Sequence, residues 1–405
     1  MSGLTVRQLS DPSISAERLY KTTTCSNVPF LEAVWSTAKR CNKVVELRRH
    51  TGLVDIVAEN GLEWIKVSTI NEHRLLMEMA KQGWENSSSD EDDDDNYENV
   101  RPYTSDSDDD DGLSLQKMAE KLMKAAKSKR IRYRYPQIRF VLPKVHEGRV
   151  PEIDNIIKEL RTMGTTVQCA GDIAEMPSLE AAISHMAIDA FEDLSPTVNI
   201  DCTILLAIIS DISHGKVEEQ PWFNRAVRRQ IEIEAEEQLM LATLWPAMED
   251  RGLVCTHEAA QRMREITDLI GTDSEKARMR IMMGDDTTKS PDQLRKEFQK
   301  YSEHQIPSSW KLPIRIDTTD IPSLLDSLPK VAAPIAPQLS PINQSVFLYG
   351  WAKGWTVLTS NRTVSKQIET LIEANRTEEN EIGPTVWLCP TSRSLVAKER
   401  DRKGV

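Results

Sequence analysis

The sequence has no long hydrophobic run and few cysteines, and both shortages exclude classes of protein. No apolar stretch approaches the roughly 20 residues that a membrane-spanning helix requires, and the segment from Met1 to Tyr20 is polar, without the hydrophobic core of a secretory signal peptide. The six cysteines are scattered singly with no CxxC pair, which is typical of reduced thiols and not of a zinc site or a disulfide framework. We therefore expect a cytoplasmic or nuclear protein that does not enter a membrane.

Short motifs for several common chemistries are also missing. The sequence has no GxxxxGK[ST], GxSxG, HExxH or GxGxxG, so phosphate-loop, serine-hydrolase, zincin and dinucleotide-binding functions lose their usual support. A chain of 405 residues with 39% hydrophobic residues is nevertheless long and apolar enough to build two or three packed domains.

The net charge of −12 is concentrated in one short segment. Between Asp90 and Gly112 there are twelve acidic residues and a single base, so this segment contributes −11 and the remainder is close to neutral. Residues 86–113 cannot bury enough apolar surface to offset the entropy lost on ordering, and we predict a disordered acidic insertion there. Its serines lie beside acids, as in the substrates of acid-directed protein kinases, so the insertion is also a candidate for phosphorylation and for binding protein partners.

A basic run follows the acidic segment. The stretch "KMAEKLMKAAKSKRIRYRY" contains eight Lys or Arg residues against Glu120 alone. Two interpretations remain open: an RNA-contacting patch that the acids mask, or the solvated face of an amphipathic helix. The candidate nucleic-acid contacts are Lys124, Lys127, Lys129, Arg130, Arg132 and Arg134.

The alternation of strand and helix patterns predicts an α/β protein with two domains. Residues 137–170 show a strand, a helix and a strand, a βαβ unit typical of a parallel sheet. A second alternation of strands and helices follows residue 195. We predict an N-terminal α/β domain over 1–194 that carries the acidic insertion, and a parallel-sheet domain with helices on both faces over 195–405.

One acid stands near the start of the most apolar run, "VNIDCTILLAIIS". Asp201 either caps the helix or turn that follows, or it is the first acid of a metal site at the carboxyl edge of a parallel sheet. Further along, "NQSVFLYGWAKGWTVLTSNR" places Asn343 before a helix and Asn361 after the next strand. Both asparagines should return to the same edge as Asp201.

These two segments resemble the PIN domain, a superfamily of metal-dependent ribonucleases. "NIDCTIL" matches its Asp in an apolar first strand followed by a small hydroxyl residue, and "NQSVFLYGWAKGWTVLTSN" matches its later helix, Gly, apolar strand and terminal T-x-D. Outside the acidic insertion, most of the chain resembles the uncharacterised eukaryotic domain-of-unknown-function family 1308. The resemblance implies a PIN-like second domain with a nuclease-like site at Asp201, Asn343 and Asn361, which would use Mg²⁺ or Mn²⁺.

Two of those three positions depart from the pattern, because an active PIN enzyme has carboxylates where this chain has Asn343 and Asn361. An Asn carbonyl can ligate a divalent ion but brings no negative charge, which disfavours a two-ion site. Glu234 and Glu265, on predicted helices, are candidates to replace the missing metal ligands, although acids in such positions more often belong to a solvated helix face. Arg362 and Lys366 follow Asn361 and are candidates for phosphate contacts.

The sequence thus predicts an RNA-associated, PIN-like protein with a degenerate metal-dependent nuclease site. Two alternatives stay open. One is a non-catalytic scaffold or adaptor that acts through its acidic insertion, and the other is an active ribonuclease that uses Asp201 with Glu234 or Glu265.

Overall fold

The computed structural model describes residues 27–47, 52–85, 113–379 and 381–396, with side chains of 82–85 excepted. The predicted acidic insertion lies outside these residues except for Leu113, which is 5% exposed and occupies the N-cap position of a helix. The chain separates into two compact units, with the division between Asp189 and Ala190.

The first unit is built from three strands that form an antiparallel meander and two strands added in parallel. Its elements are α1 (Val28–Ala38), β1 (Glu46–Leu47), β2 (Ile56–Ala58), β3 (Glu63–Val67), α2 (Glu72–Glu85), α3 (Ser114–Lys127), β4 (Gln137–Leu142), α4 (Pro151–Thr162), β5 (Thr166–Cys169) and α5 (Leu179–Met186). The sheet order is β1-β2-β3-β4-β5, and the neighbours β3, β4 and β5 are parallel. The parallel β4-α4-β5 unit confirms the crossover predicted from the sequence.

Alternation along β4 shows how this sheet is covered. Phe140 belongs to the apolar cluster that contains the buried residues of α3 and α4. Its neighbour Val141 belongs to a second cluster, with Val34 and Ala38 of α1. Because successive strand residues point to opposite faces, the sheet of the first unit has helices on both sides.

The second unit has a five-stranded sheet in which every neighbouring pair is parallel, in the order β10-β9-β6-β7-β8. Its strands are β6 (Thr197–Ile200), β7 (Gly252–Thr256), β8 (Arg315–Asp317), β9 (Thr356–Thr359) and β10 (Val386–Leu388). Its helices are α6 (Cys202–Ile209), α7 (Arg225–Glu237), α8 (Trp245–Met248), α9 (His257–Ile270), α10 (Asp273–Met283), α11 (Pro291–Gln299), α12 (Ile321–Ser327), α13 (Ala332–Ile335), α14 (Pro341–Asn343), α15 (Tyr349–Lys353) and α16 (Arg362–Asn375). Two helices are each preceded by a π-helical segment: Met240–Leu244 precedes α8, and Gln344–Leu348 precedes α15.

The central strand β6 is buried on both faces, which confirms the predicted parallel sheet covered by helices. Val198, Asn199 and Ile200 are all 0% exposed. The Asn199 amide donates 2.8 Å to the carbonyl of Val346 in the second π-helix, so that one face of the strand is turned to this segment.

The strand order also fixes where a site is expected. After β6 the chain moves outward through β7 and β8, and it then returns to the other side of β6 for β9 and β10. In doubly wound sheets, ligands bind at the carboxyl ends of the two strands between which the order reverses. In this unit those strands are β6 and β9.

In the part of the chain that the structure describes, no helix combines the length and the apolar character needed to cross a bilayer.

Candidate functional site

Asp201 lies at this reversal point, as the residue between β6 and α6. Its backbone N–H donates 3.0 Å to the carbonyl of Leu358 in β9, and its own carbonyl accepts the N–H groups of Ile204 and Leu205 in α6. The residue is 4% exposed. Asp201 occupies the N-cap position of α6, but its side chain makes no capping hydrogen bond. The carboxylate is therefore available for contacts between the two strands.

Two threonine hydroxyls hold the Asp201 carboxylate. Thr203 Oγ1 and Thr359 Oγ1 each donate 2.7 Å to Oδ2. The same hydroxyl oxygens accept backbone N–H groups, from Ser360 to Thr203 (3.1 Å) and from Asn361 to Thr359 (3.0 Å). A hydroxyl has one proton to donate, so both threonine protons are committed to Oδ2. The other oxygen, Oδ1, has no hydrogen bond to any described residue.

Asn361 is linked to Asp201 through Thr359, but its side chain has a structural task. Its Oδ1 accepts the Val364 N–H at 3.2 Å and caps α16. The carbonyl that the PIN resemblance would assign to a metal thus satisfies the first turn of a helix.

Asn343 ends the short helix α14 and is half-buried. Two residues later, Ser345 Oγ lies 3.1 Å from Thr256 Oγ1, which is at the carboxyl end of β7. The segment that carries Asn343 therefore reaches the carboxyl edge of the sheet. No hydrogen bond joins the Asn343 side chain to another described residue.

Glu265 is an exposed residue of α9. Its oxygens interact with Gln261 Nε2 at 3.1 Å and Arg262 Nη1 at 3.3 Å. Burial, followed by the charge of Asp201, raises the pKa of the neighbouring Cys202 thiol to about 12, and the charges of Arg262 and Glu265 also act on it. The structure therefore places Glu265 within electrostatic range of Cys202, with no hydrogen bond to the Asp201 network.

Glu234 is engaged elsewhere, by the C-terminal segment. Its carboxylate pairs with Arg393 at 2.6 Å and accepts the Leu239 N–H at 3.0 Å. Burial raises the pKa of Glu234, although Arg393 opposes the shift. The adjacent Ser394 carbonyl accepts from Ser210 Oγ at 2.7 Å, and Ser210 caps the end of α6 opposite to Asp201. An eight-residue helix is about 12 Å long, so Glu234 contacts a segment anchored one helix length away from Asp201.

The basic residues of the first unit form an exposed surface. Lys124, Lys127, Lys129 and Arg134 are exposed, and none makes an ion pair with a described residue. The Arg130 guanidinium lies 4.1 Å from the centroid of the Tyr135 ring. Arg132 is exposed in the turn that follows. In the second unit, Arg362 donates 3.1 Å to the Pro390 carbonyl, and Arg362 and Lys366 line a shallow groove along α16.

The first unit contains a further group of possible metal ligands, which no sequence motif predicted. Ligand atoms of Glu147, Cys169 and Asp172 lie within 4.8 Å of one another. Arg161 pairs with Glu147 at 2.8 Å and Asp172 accepts the Cys169 N–H at 2.9 Å. Burial raises the pKa of the Cys169 thiol to about 11. The contact between Glu147 and Arg161 is an ion pair, and the contact between Asp172 and Cys169 caps a turn.

The donors around Asp201 do not fit a two-ion site of the kind that PIN nucleases use. Such a site needs several carboxylates to neutralise two divalent cations. Asp201 supplies one free oxygen, Asn361 is a helix cap, and both threonine protons point at the carboxylate. Neither the Asn343 side chain nor Glu265 is hydrogen-bonded to Asp201. Two further acids lie at or just after the carboxyl ends of β8 and β7, but Asp317 accepts the Tyr349 hydroxyl and Glu258 accepts the Thr319 hydroxyl.

Comparison with known proteins agrees with part of the resemblance seen in the sequence. Residues 198–309 match the family model described as Protein of unknown function (DUF1308). The match begins in β6, includes Asp201, and ends before β8. Neither the curated proteins nor the solved structures yield a match to the chain.

Proposed function

We propose that this protein is an RNA-binding, PIN-like protein whose nuclease site is degenerate and does not cleave RNA. The observation that carries the proposal is the setting of Asp201. It supplies a buried carboxylate at the point of strand reversal, between strands β6 and β9, while the side chain at Asn361 is used to cap a helix.

The presence of Asn343 and Asn361, where an active PIN enzyme has carboxylates, argues against catalysis. Metal-dependent cleavage of a phosphodiester requires an ion that activates water and stabilises the charge developing on phosphate. One carboxylate, already accepting two hydroxyl protons, offers a divalent ion a single anionic oxygen. Mg²⁺ bound in this way depends on substrate phosphate for the remaining charge, so an ion here would accompany bound RNA and would not be a resident cofactor.

RNA is the class of ligand that the exposed charges favour. Lys124, Lys127, Lys129 and Arg134 have no acidic partner among the described residues, which leaves their charges available to phosphate. In the second unit, Arg362 and Lys366 lie one turn apart at the start of α16, and a helix N-terminus is itself a favourable site for an anion.

Binding to RNA is tested by its dependence on salt. For single-stranded nucleic acid, each phosphate that a protein neutralises contributes a slope of about −0.7 to log K against log salt concentration. The variant K124Q/K127Q should bind more weakly and show a slope that is less negative by about 1.4. The matched control is K296Q/K300Q, which removes two exposed lysines from the end of α11. Equal losses in both pairs would contradict the proposed surface.

Catalysis is tested with end-labelled single-stranded and hairpin RNA in Mg²⁺ or Mn²⁺. We expect no metal-dependent cleavage by the wild type or by Asp201→Asn, which keeps an acceptor for the two threonine hydroxyls. Cleavage that disappears in Asp201→Asn would overturn the proposal in favour of an active ribonuclease. Glu265→Gln would then be the next variant, because Glu265 acts on Cys202, beside Asp201.

A further inference from the structure

A two-residue hairpin turn follows α3 in the basic segment. Ile131 and Arg134 form an isolated antiparallel bridge, with hydrogen bonds of 2.8 Å from Ile131 N to Arg134 O and 3.0 Å in the reverse direction. The two residues between them, Arg132 and Tyr133, have φ values of 48° and 68°. A two-residue hairpin loop with positive φ at both positions is a type I′ turn.

Arg132 and Tyr133 are unfavourable residues for such a turn. Type I′ turns strongly prefer Asn-Gly, because most L-residues meet a steric penalty in the left-handed region. Strained residues of this kind persist where the surrounding fold imposes the conformation, and they cluster at functional sites. Arg132 and Tyr133 thus occupy two positions where Asn and Gly would fit the backbone with less strain.

The rest of the first unit holds this turn in place. A Cβ atom added at Gly61 would lie 3.2 Å from Ile131 Cδ1, so the base of the hairpin packs closely on the β2–β3 connection. Beyond the hairpin, the Gln137 N–H donates 2.8 Å to the Leu62 carbonyl. The turn is therefore anchored on both sides to the same connection.

Basic and aromatic side chains alternate through the turn. Arg132 and Arg134 are exposed and Tyr133 is half-buried. The Arg130 guanidinium is stacked on the Tyr135 ring at 4.1 Å. Nearby on α3, Lys124 and Lys127 line a groove together with Met123 and Met163. Proteins recognise single-stranded nucleic acid with basic side chains that bind phosphates and with neighbouring aromatic rings that stack on bases. In a duplex the base faces are stacked on one another and cannot be reached in this way.

On the basis of the proposed RNA binding, we infer that the Arg132-Tyr133 turn is a recognition element for single-stranded RNA. The Tyr133 ring stacks on an unpaired base and Arg132 contacts the adjacent phosphate. This preference for single strands goes beyond the proposed function, which assigns RNA binding without a class of RNA.

The test replaces the turn with the residues that its backbone favours. The variant R132N/Y133G should keep the type I′ turn, because Asn-Gly is the pair that this turn prefers. It should also weaken binding of a fluorescently labelled single-stranded RNA about tenfold or more, since it removes one stacked base and one phosphate contact. Affinity for a duplex of the same length should change less. The control Tyr133→Phe keeps the ring and should keep both the affinity and the preference.

Failure of this inference can be told apart from failure of the proposed function. If the wild type binds RNA with the expected salt dependence but R132N/Y133G binds single strands equally well, or if the wild type prefers the duplex, the turn is not the recognition element. If the wild type binds neither RNA, the proposed function fails and the inference fails with it.

Discussion

Removal of Arg393 should destabilise the second unit strongly, because it leaves a buried carboxylate without its partner. The Arg393 side chain is 1% exposed and that of Glu234 is 11% exposed. Truncation of one member of a buried ion pair typically costs about 3–5 kcal/mol. The second partner, Glu237, is 41% exposed and should add at most about 1 kcal/mol. For a unit of this size, Arg393→Ala should lower the unfolding temperature by about 6–20 °C.

The loss should depend on pH, and the direction follows from the pKa of Glu234. Its pKa is raised from 4.5 by burial, against the opposing effect of Arg393. A raised carboxyl pKa means that the folded state favours the protonated form of Glu234. The stability gained from this protonation is fully present below the pKa that Glu234 has in the unfolded chain, and it is lost as the pH rises through the pKa of Glu234 in the folded protein. Without Arg393 the pKa should rise further. The penalty of Arg393→Ala should therefore be larger near neutral pH than at about pH 5.

Urea unfolding of the full chain at both pH values, followed by tryptophan fluorescence, measures this penalty. The double variant R393M/E234L provides the matched control, because replacing both partners by apolar side chains of similar size should cost much less than removing one. A loss of less than about 1 kcal/mol in Arg393→Ala, or an equal loss at both pH values, would refute the account of Glu234 as a buried partner of Arg393.

Three further predictions concern buried groups. Thr359→Val should lower the free energy of unfolding by about 1.5–3 kcal/mol, because it removes a donor to the Asp201 carboxylate. Urea titration measures this loss beside the control Thr370→Val, which changes an exposed threonine. Equal losses in the two variants would contradict the prediction. Burial and then the charge of Arg278 lower the pKa of His214 to about 3, so the stability that its neutral form contributes is complete above the unfolded pKa of about 6.5 and is lost as pH falls toward 3. The unfolding temperature of His214→Gln should consequently fall less than that of the wild type between about pH 7 and pH 4, and parallel profiles would exclude this role. Finally, a Cys25→Ser variant should not react with a thiol reagent at neutral pH until it is unfolded, since the cysteines of the described residues are all buried, and rapid labelling of the native protein would contradict the structure.

Patterns of neighbouring residues predicted much of the fold. The β4-α4-β5 unit, the parallel sheet of the second unit and the position of Asp201 just after a strand all follow from local hydrophobic periodicity. Such periodicity is visible because residues that share a face recur at short, regular intervals along the chain. The same reasoning places Asn361 at the end of a strand and the start of a helix, where the structure has it.

The partners of these residues were decided only by the tertiary structure. Thr359 reaches Asp201 across 158 positions, and Arg393 reaches Glu234 across 159. Both contacts depend on the strand order and on the path of the segment after β10, which no local pattern encodes. The sequence alone therefore located an acid at the edge of a parallel sheet. The long-range contacts determined that its charge is held by two hydroxyls, and that Glu234, a candidate to assist it, binds an arginine.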